Sequence, residues 1–139
     1  MPKTIGAFAK VSFPDLGIYD TIAKVDTGAL SGALHATNII VVKLPTGEKA
    51  LKFTPYGRKK PVRLTAYRRK KVRSSNGELE WRYIIRTTIV IRDVSYPINI
   101  TLADRSQMMK AVIIGRRFLR RHGFLVDPKK GTKYRYEVK

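Results

Sequence analysis

The chain has 139 residues and a formal net charge of +19, from 29 Lys and Arg against 10 Asp and Glu, and it contains no cysteine. This length predicts a single domain, residues 1–139, with a buried core. The lack of cysteine excludes disulfides and thiolate chemistry. No apolar run reaches the roughly 20 residues of a membrane-spanning helix, so we expect a cytoplasmic protein without a membrane partner. The charge exceeds what solubility needs and predicts a polyanionic partner.

The first third of the chain alternates apolar and polar residues as half-buried strands do. Residues 5–13 predict a first strand, and Pro and Gly at 14–17 predict a tight turn. Residues 19–25 predict a second strand that ends at Asp26, and Gly28 marks the turn after it. Asp26 is therefore expected at a strand end with its side chain accessible.

The middle of the chain continues as predicted β-structure. Small residues at 30–36 predict a short loop, and the β-branched run at 38–44 predicts a buried strand. Residues 50–53 predict a short returning strand.

Residues 55–73 carry nine Lys and Arg and no acidic residue. They are the main source of the positive charge. Asn76-Gly77 is a strong signal for a hairpin turn, and its flanks at 71–74 and 79–92 read as strands. We expect a long, projecting β-hairpin here.

The last third predicts a second hairpin and one short helix. A turn at 93–95 leads into a strand at 96–102, where Pro97 favours an edge position. Residues 111–115 form an apolar strand ending in glycine, and 116–121 read as a short helix that Gly123 closes.

Two more predicted strands follow this helix. Residues 124–128 predict a last core strand. Residues 133–138 alternate regularly and predict a strand that could pair with another chain.

The run Asp26-Thr27-Gly28-Ala29 after an apolar strand, together with Ile113-Ile114-Gly115-Arg116 entering a short helix, resembles the retropepsin-like aspartic peptidases. The two motifs in this order are far more specific than Asp-Thr-Gly alone. The resemblance implies an all-β fold, a closed acid-protease (retropepsin-like) barrel with a flap hairpin and one short C-terminal helix.

Nearly the whole chain resembles a narrower bacterial family, the RimK-associated "ATP-dependent zinc proteases" (RimB-type). The matching segments are 23–36, 72–83, 100–108 and 115–128. Zinc and ATP in that name have no motif here, because the only histidines are His35 and His122 and there is no glycine-rich phosphate loop. We therefore expect no cofactor and no metal site.

The resemblance implies a homodimer. One chain has one Asp-Thr-Gly, whereas the reaction needs two carboxylates that share a proton. Asp26 of each copy would be catalytic, Thr27 would join the two loops, and Gly28 and Ala29 would leave room for substrate backbone.

The other site residues predicted from the resemblance and the charge lie on the hairpin and in the C-terminal half. The turn Asn76-Gly77 would be the tip of the flap. The predicted substrate-binding residues besides Ala29 are Arg73, Ser74, Ser75, Arg82, Arg105 and Arg116. Retroviral enzymes pair the arginine equivalent to Arg116 with an acidic residue after Asp-Thr-Gly-Ala, but Leu30 and Ser31 stand there in this chain. Arg116 would then bind Asp127, Asp104 or substrate.

The family resembles a partner of glutamate ligases that extend a ribosomal protein, so a glutamate-rich peptide tail is the expected substrate. The alternative is a non-catalytic basic β domain that binds RNA or the ribosome. Its cations would contact phosphates, and Tyr56, Tyr67, Trp81 and Tyr83 would stack on bases. A third interpretation combines both roles.

Overall fold

The computed structural model describes residues 3–73, 77–104 and 110–134, with the side chains of Val72 and Arg73 also left undescribed. The elements in chain order are β1 Lys3–Gly6, β2 Phe8–Phe13, β3 Ile18–Asp26, β4 Gly32–Lys43, β5 Lys49–Pro55, β6 Val62–Leu64, β7 Tyr67–Arg73, β8 Leu79–Ile91, β9 Val94–Ala103, β10 Val112–Gly115, α1 Arg116–Arg121 and β11 Phe124–Asp127. Short 3-10 turns occupy Pro14–Leu16 and Thr132–Tyr134. Among the residues that the structure describes, no helix has the length and apolar character that crossing a bilayer requires.

Six strands close into a barrel in the order β10, β3, β2, β8, β9 and β4, because β4 also pairs with β10. β5 and β6 extend the sheet beyond β4, and β7 pairs with β8 as the predicted hairpin. A separate parallel pair joins β1 to β11. The predicted all-β barrel with one short helix is therefore confirmed.

The barrel interior is apolar because alternate residues of each strand point inward. Phe13, Ile85, Ile100 and Ile114 are fully or almost fully buried there, and Phe53 of β5 belongs to the same core cluster. The paired positions on β8 and β9 preserve this alternation, since buried Ile85 lies opposite buried Ile100. The outward residues of the same strands are left for surface functions.

Two predicted boundaries are wrong, and both errors arise from small residues in close contact. The predicted strand at 5–13 is two strands, β1 and β2, because the Ala7 N–H donates to the Lys130 carbonyl instead of continuing one ladder. The predicted loop at 30–36 is mostly the start of β4. A Cβ at Gly32 would lie 2.5 Å from the Ile113 carbonyl oxygen, so the small residue serves tight strand packing rather than a loop.

Two further predictions change in detail. β9 lies between β8 and β4, but β4 pairs with it only at Ile100–Ala103. Among the described strands, the half of β9 that contains Pro97 therefore pairs with β8 alone. β9 is thus an interior strand, but the side of Pro97 that faces away from β8 is not paired with β4, as at the predicted sheet edge. Lys133 and Tyr134 lie in a 3-10 turn rather than in the predicted strand, and 135–139 lie outside the described residues.

Candidate active site

Asp26 is the last residue of β3 and begins a tight turn, which we call the Asp26 turn, residues 26–31. Its Oδ1 accepts a hydrogen bond of 3.0 Å from the Gly28 N–H, and its carbonyl accepts one of 3.1 Å from the Ala29 N–H. An Asp side chain that bonds the backbone two residues on is a common turn-stabilising device. The carboxylate is therefore held in place while it remains partly exposed, and Thr27 and Gly28 are fully at the surface.

The second motif packs directly against this turn. β10 runs parallel to β3 with Gly115 opposite Asp26. The Arg116 N–H donates to the Ala29 carbonyl at 2.8 Å, and the Arg117 N–H donates to the Leu30 carbonyl at 3.1 Å. The two motifs predicted from the sequence to act together are thus joined by the backbone.

Gly115 lets these two backbones approach each other. A Cβ at this position would lie 2.6 Å from the Ser31 carbonyl carbon and 2.9 Å from the Gly32 nitrogen. Both of these atoms are backbone, so a side chain could be accommodated only by moving the Asp26 turn. The glycine is required by this close approach rather than by a special φ angle.

Arg116 contacts the turn rather than an acid. Its Nη1 donates to the Gly28 carbonyl at 3.1 Å. No ion pair joins it to Asp127 or Asp104 within the described residues, so that part of the prediction is wrong. A role for its remaining N–H groups in binding substrate stays a prediction.

The β7–β8 hairpin carries an exposed aromatic residue between two cations. The Arg69 guanidinium lies 4.1 Å and the Lys71 ammonium 5.4 Å from the centre of a Trp81 ring, and Trp81 is 51% exposed. Arg82 points its guanidinium at Glu80, with hydrogen bonds of 3.0 and 2.6 Å to one carboxylate oxygen. In the described structure this predicted substrate-binding arginine therefore already holds an acidic partner.

Several predicted site residues cannot be placed. Ser74, Ser75, Asn76 and Arg105 lie outside the described residues, as does the side chain of Arg73. Gly77 is described and has a φ of 89°, the left-handed conformation that suits a hairpin turn.

The histidines have contacts that the sequence does not indicate. His35 Nδ1 lies 3.7 Å from Asp104 Oδ1, and its ring packs against Tyr56. Burial raises the pKa of the Tyr56 hydroxyl above its ordinary value. The Nε2 of His122 lies 3.2 Å from the Pro97 carbonyl oxygen.

These side chains do not form a metal centre. Across the ranges that the structure describes, no three His, Asp or Glu side chains come together as metal ligands would. The described residues therefore do not supply the three protein ligands that a catalytic zinc needs.

Sequence reasoning also missed a cavity of about 280 Å³ beside the Asp26 turn. Ser31 and Gly32 form one wall, β7, β8 and β9 form a second, and α1 forms a third. Six of its lining residues are cationic: Arg68, Lys70, Arg86, Arg117, Arg120 and Arg121. The helix spacing of Arg117, Arg120 and Arg121 and the strand spacing of Arg68 and Lys70 are signals that could have placed each set on one face.

Comparisons with known proteins agree with this geometry. Residues 4–135 match the family model described as "RimB-like: Retropepsin-like aspartic endopeptidase RimB". The fold matches the crystal structure of a Legionella pneumophila protein of unknown function, with a TM-score of 0.73, 26% identity and coverage of 91% of this chain and 94% of that one.

Curated relatives carry a different name. The chain is 32% identical over 130 residues to a "Probable alpha-L-glutamate ligase" of Shewanella halifaxensis, and 30% identical over 136 residues to one of Desulfotalea psychrophila. These matches cover 89% and 91% of this chain but only 28% of each relative. The family model, in contrast, spans nearly the whole chain, and the barrel and the joined motifs fit it. The chain belongs to the RimB-like family of retropepsin-like aspartic endopeptidases.

Proposed function

We propose that this protein is an aspartic endopeptidase whose active site forms between two copies of the chain. The observation that carries the proposal is the Asp26 turn, which β10 fixes while its carboxylate stays partly exposed. Each chain has one such turn. A two-fold axis beside Thr27 would bring two Asp26 side chains together, as a symmetric contact requires.

The pair of carboxylates would share one proton, because two like charges at this distance cannot both ionise easily. The ionised Asp26 takes a proton from water, and the water oxygen bonds to the peptide carbonyl carbon. The neutral Asp26 gives its proton to the carbonyl oxygen. Collapse of the tetrahedral intermediate breaks the C–N bond while the newly protonated Asp26 gives its proton to the leaving nitrogen. The other Asp26 carboxylate takes a hydroxyl proton from the intermediate, which yields the free acid and the amine and restores the pair with one shared proton.

The proposed substrate is an acidic, glutamate-rich peptide. A net charge of +19 attracts carboxylates and repels basic peptides. The relatives named as probable glutamate ligases support a link to glutamate chains, such as a tail added to a ribosomal protein by a RimK-type ligase. The β7–β8 hairpin would act as the flap that closes over this peptide and excludes water.

A cleavage assay tests the proposal. Wild-type protein is mixed with an oligoglutamate peptide and with the matched oligoglutamine peptide at low and high salt. Faster cleavage of the acidic peptide than of the neutral one is the expected result, and salt should reduce this difference because screening weakens the attraction. Asp26→Asn should lower the rate by at least about a thousandfold, the scale of losing an essential acid–base group. No cleavage by wild type, or cleavage that survives this substitution, refutes the peptidase.

The second candidate function is RNA or ribosome binding without catalysis. The exposed Trp81 ring between Arg69 and Lys71 favours it, because stacking beside cations is how single strands are often bound. This function would be supported if the wild-type protein cleaves neither peptide but binds an oligonucleotide, and if Trp81→Ala weakens that binding.

A further inference from the structure

The cavity beside the Asp26 turn, which we call the basic groove, concentrates positive charge that has little compensation. It is the space lined by Ser31, Gly32, parts of β7, β8 and β9, and α1. Of its six cationic side chains, none forms an ion pair with another described residue, and no acidic residue lines it. Arg86 has one weak polar contact, at 3.5 Å, to the Asn99 amide oxygen.

The groove exists because of a gap in strand pairing. β4 begins at Gly32 and covers β9 only from Ile100 onward, which leaves the Pro97 half of β9 open on that side. α1 occupies the gap, and His122 at its end contacts the Pro97 carbonyl oxygen. The outward side chains of β7 and β8 form the opposite wall.

The lining is suited to an extended acidic chain. Arg68 and Lys70 lie two residues apart on the same face of β7, so they repeat at roughly 7 Å along the strand. An extended peptide of glutamates presents carboxylates on one side at the same repeat. Ile84, Ile98 and Phe118 also line the groove, but each is at most 9% exposed, so contacts with glutamate fall mainly to the cationic side chains.

The same lining is poorly suited to nucleic acid. A volume of about 280 Å³ is near the lower limit of ligand pockets, about 300 Å³, and is too small for a duplex. Base stacking needs an accessible aromatic face. The Phe118 ring is buried and stacks on Phe124, and the His122 ring packs on Phe118 and Tyr96.

The groove is also continuous with the Asp26 turn. Ser31 ends the turn and lines the groove. Arg117 also lines the groove, and its backbone N–H donates to the Leu30 carbonyl in the turn. A peptide bound across the turn would need only a few more residues to reach it.

We infer that the basic groove is a second binding site for the acidic substrate, which holds glutamate side chains several residues away from the bond that is cleaved. The choice of occupant rests on the proposed function. The groove would therefore favour long acidic tails over short ones and would keep such a tail attached during successive cleavages.

Direct binding tests the groove without relying on catalysis. The full chain with Asp26→Asn is titrated with a fluorescent ten-residue oligoglutamate peptide, alone and with Arg86→Gln and Arg121→Gln added. The matched control adds Arg63→Gln and Lys49→Gln, which remove the same charge from exposed positions outside the groove. The groove variant should bind about tenfold more weakly, the scale of two lost ion pairs between exposed groups, while the control should change by less than about threefold. Circular dichroism and melting temperature verify that each variant folds.

Kinetics separate this inference from the proposed function. In the protein with Asp26 intact, the groove variant should raise KM more for the ten-residue peptide than for a four-residue one. Equal weakening by the groove and control variants would overturn the groove and leave only a diffuse field. If wild type cleaves the peptide and the groove variant binds and cleaves it equally well, the groove is refuted and the peptidase stands. If binding depends on the groove but no peptide is cleaved, the peptidase is refuted and the groove stands. A larger loss for a uridine oligonucleotide than for oligoglutamate would assign the groove to RNA and overturn the inference.

Discussion

The Asp26 turn and the basic groove are neighbours along residues 26–32, yet different kinds of contact build them. The turn is held by backbone hydrogen bonds from Gly28, Ala29 and Arg116. The groove is lined by cationic side chains from two strands, β7 and β8, and from the helix α1, and none of them forms an ion pair with another described residue. The turn is therefore fixed by its backbone, whereas the groove is defined mainly by its charge.

This difference suggests a division of labour. Chemistry on a peptide bond needs a fixed carboxylate, because a displacement of about 1 Å can cost about a hundredfold in rate. Attraction of a polyanion needs only a dense field, which tolerates mobile side chains. Substitutions in the Asp26 turn should lower the rate on every substrate, and substitutions in the basic groove should lower it only on acidic ones.

The largest effect in this comparison is expected from Gly115→Ala. The added Cβ would clash with the backbone of Ser31 and Gly32, so the Asp26 turn must shift. We expect a loss of about 2 kcal/mol in the free energy of unfolding, typical of overpacking, and a drop of about a hundredfold in kcat/KM on acidic and neutral substrates alike.

Gly47→Ala is the control for Gly115→Ala. It places a methyl group in open space at a φ of +90° and so costs only backbone strain, about 1 kcal/mol. Its kcat/KM should stay within about twofold of wild type. Urea unfolding and initial rates give both quantities, and a Gly115→Ala protein with normal kcat/KM would contradict the close packing.

A smaller effect is expected from Arg116→Ala. The substitution removes the hydrogen bond to the Gly28 carbonyl and should lower kcat about tenfold with little change in KM, because Arg116 positions the turn. The loss should be equal for acidic and neutral peptides. A rise in KM confined to the acidic peptide would show that Arg116 binds substrate instead, and Arg63→Ala is the control for lost charge.

The sequence is sufficient to predict the Asp26 turn because its determinants are local. Asp26-Thr27-Gly28 and Ile113-Ile114-Gly115 each fix a short piece of backbone, and their resemblance to a known family supplies the long-range pairing between them. The β7–β8 hairpin is predictable for the same reason, since Asn76-Gly77 specifies the turn between two strand-like flanks.

The basic groove is not predictable because its determinants are non-local. Its cations come from β7, β8 and α1, which are brought together only by the incomplete pairing of β4 with β9. The start of β4 was missed for a related reason. Small residues at 30–36 are typical of loops, but here they permit close contact with β10, and tertiary packing overrides the local pattern.

The smallest effect concerns the Glu80–Arg82 pair on β8. Both side chains are well exposed, at 47% and 38%, so Glu80→Gln should change the free energy of unfolding by less than about 0.5 kcal/mol. The substitution frees the Arg82 guanidinium and removes one negative charge from the β7–β8 hairpin. The kcat/KM for oligoglutamate should rise by up to about twofold, and that for oligoglutamine should not change.

Glu80→Gln combined with Arg82→Gln should lose this gain, because the freed guanidinium is absent. Stability and rates are measured by urea unfolding and steady-state kinetics at low salt. A destabilisation above about 1 kcal/mol would mean that the pair supports the hairpin. This part of β8 would then belong, like the Asp26 turn, to the rigid structure rather than to the charged surface that tolerates substitution.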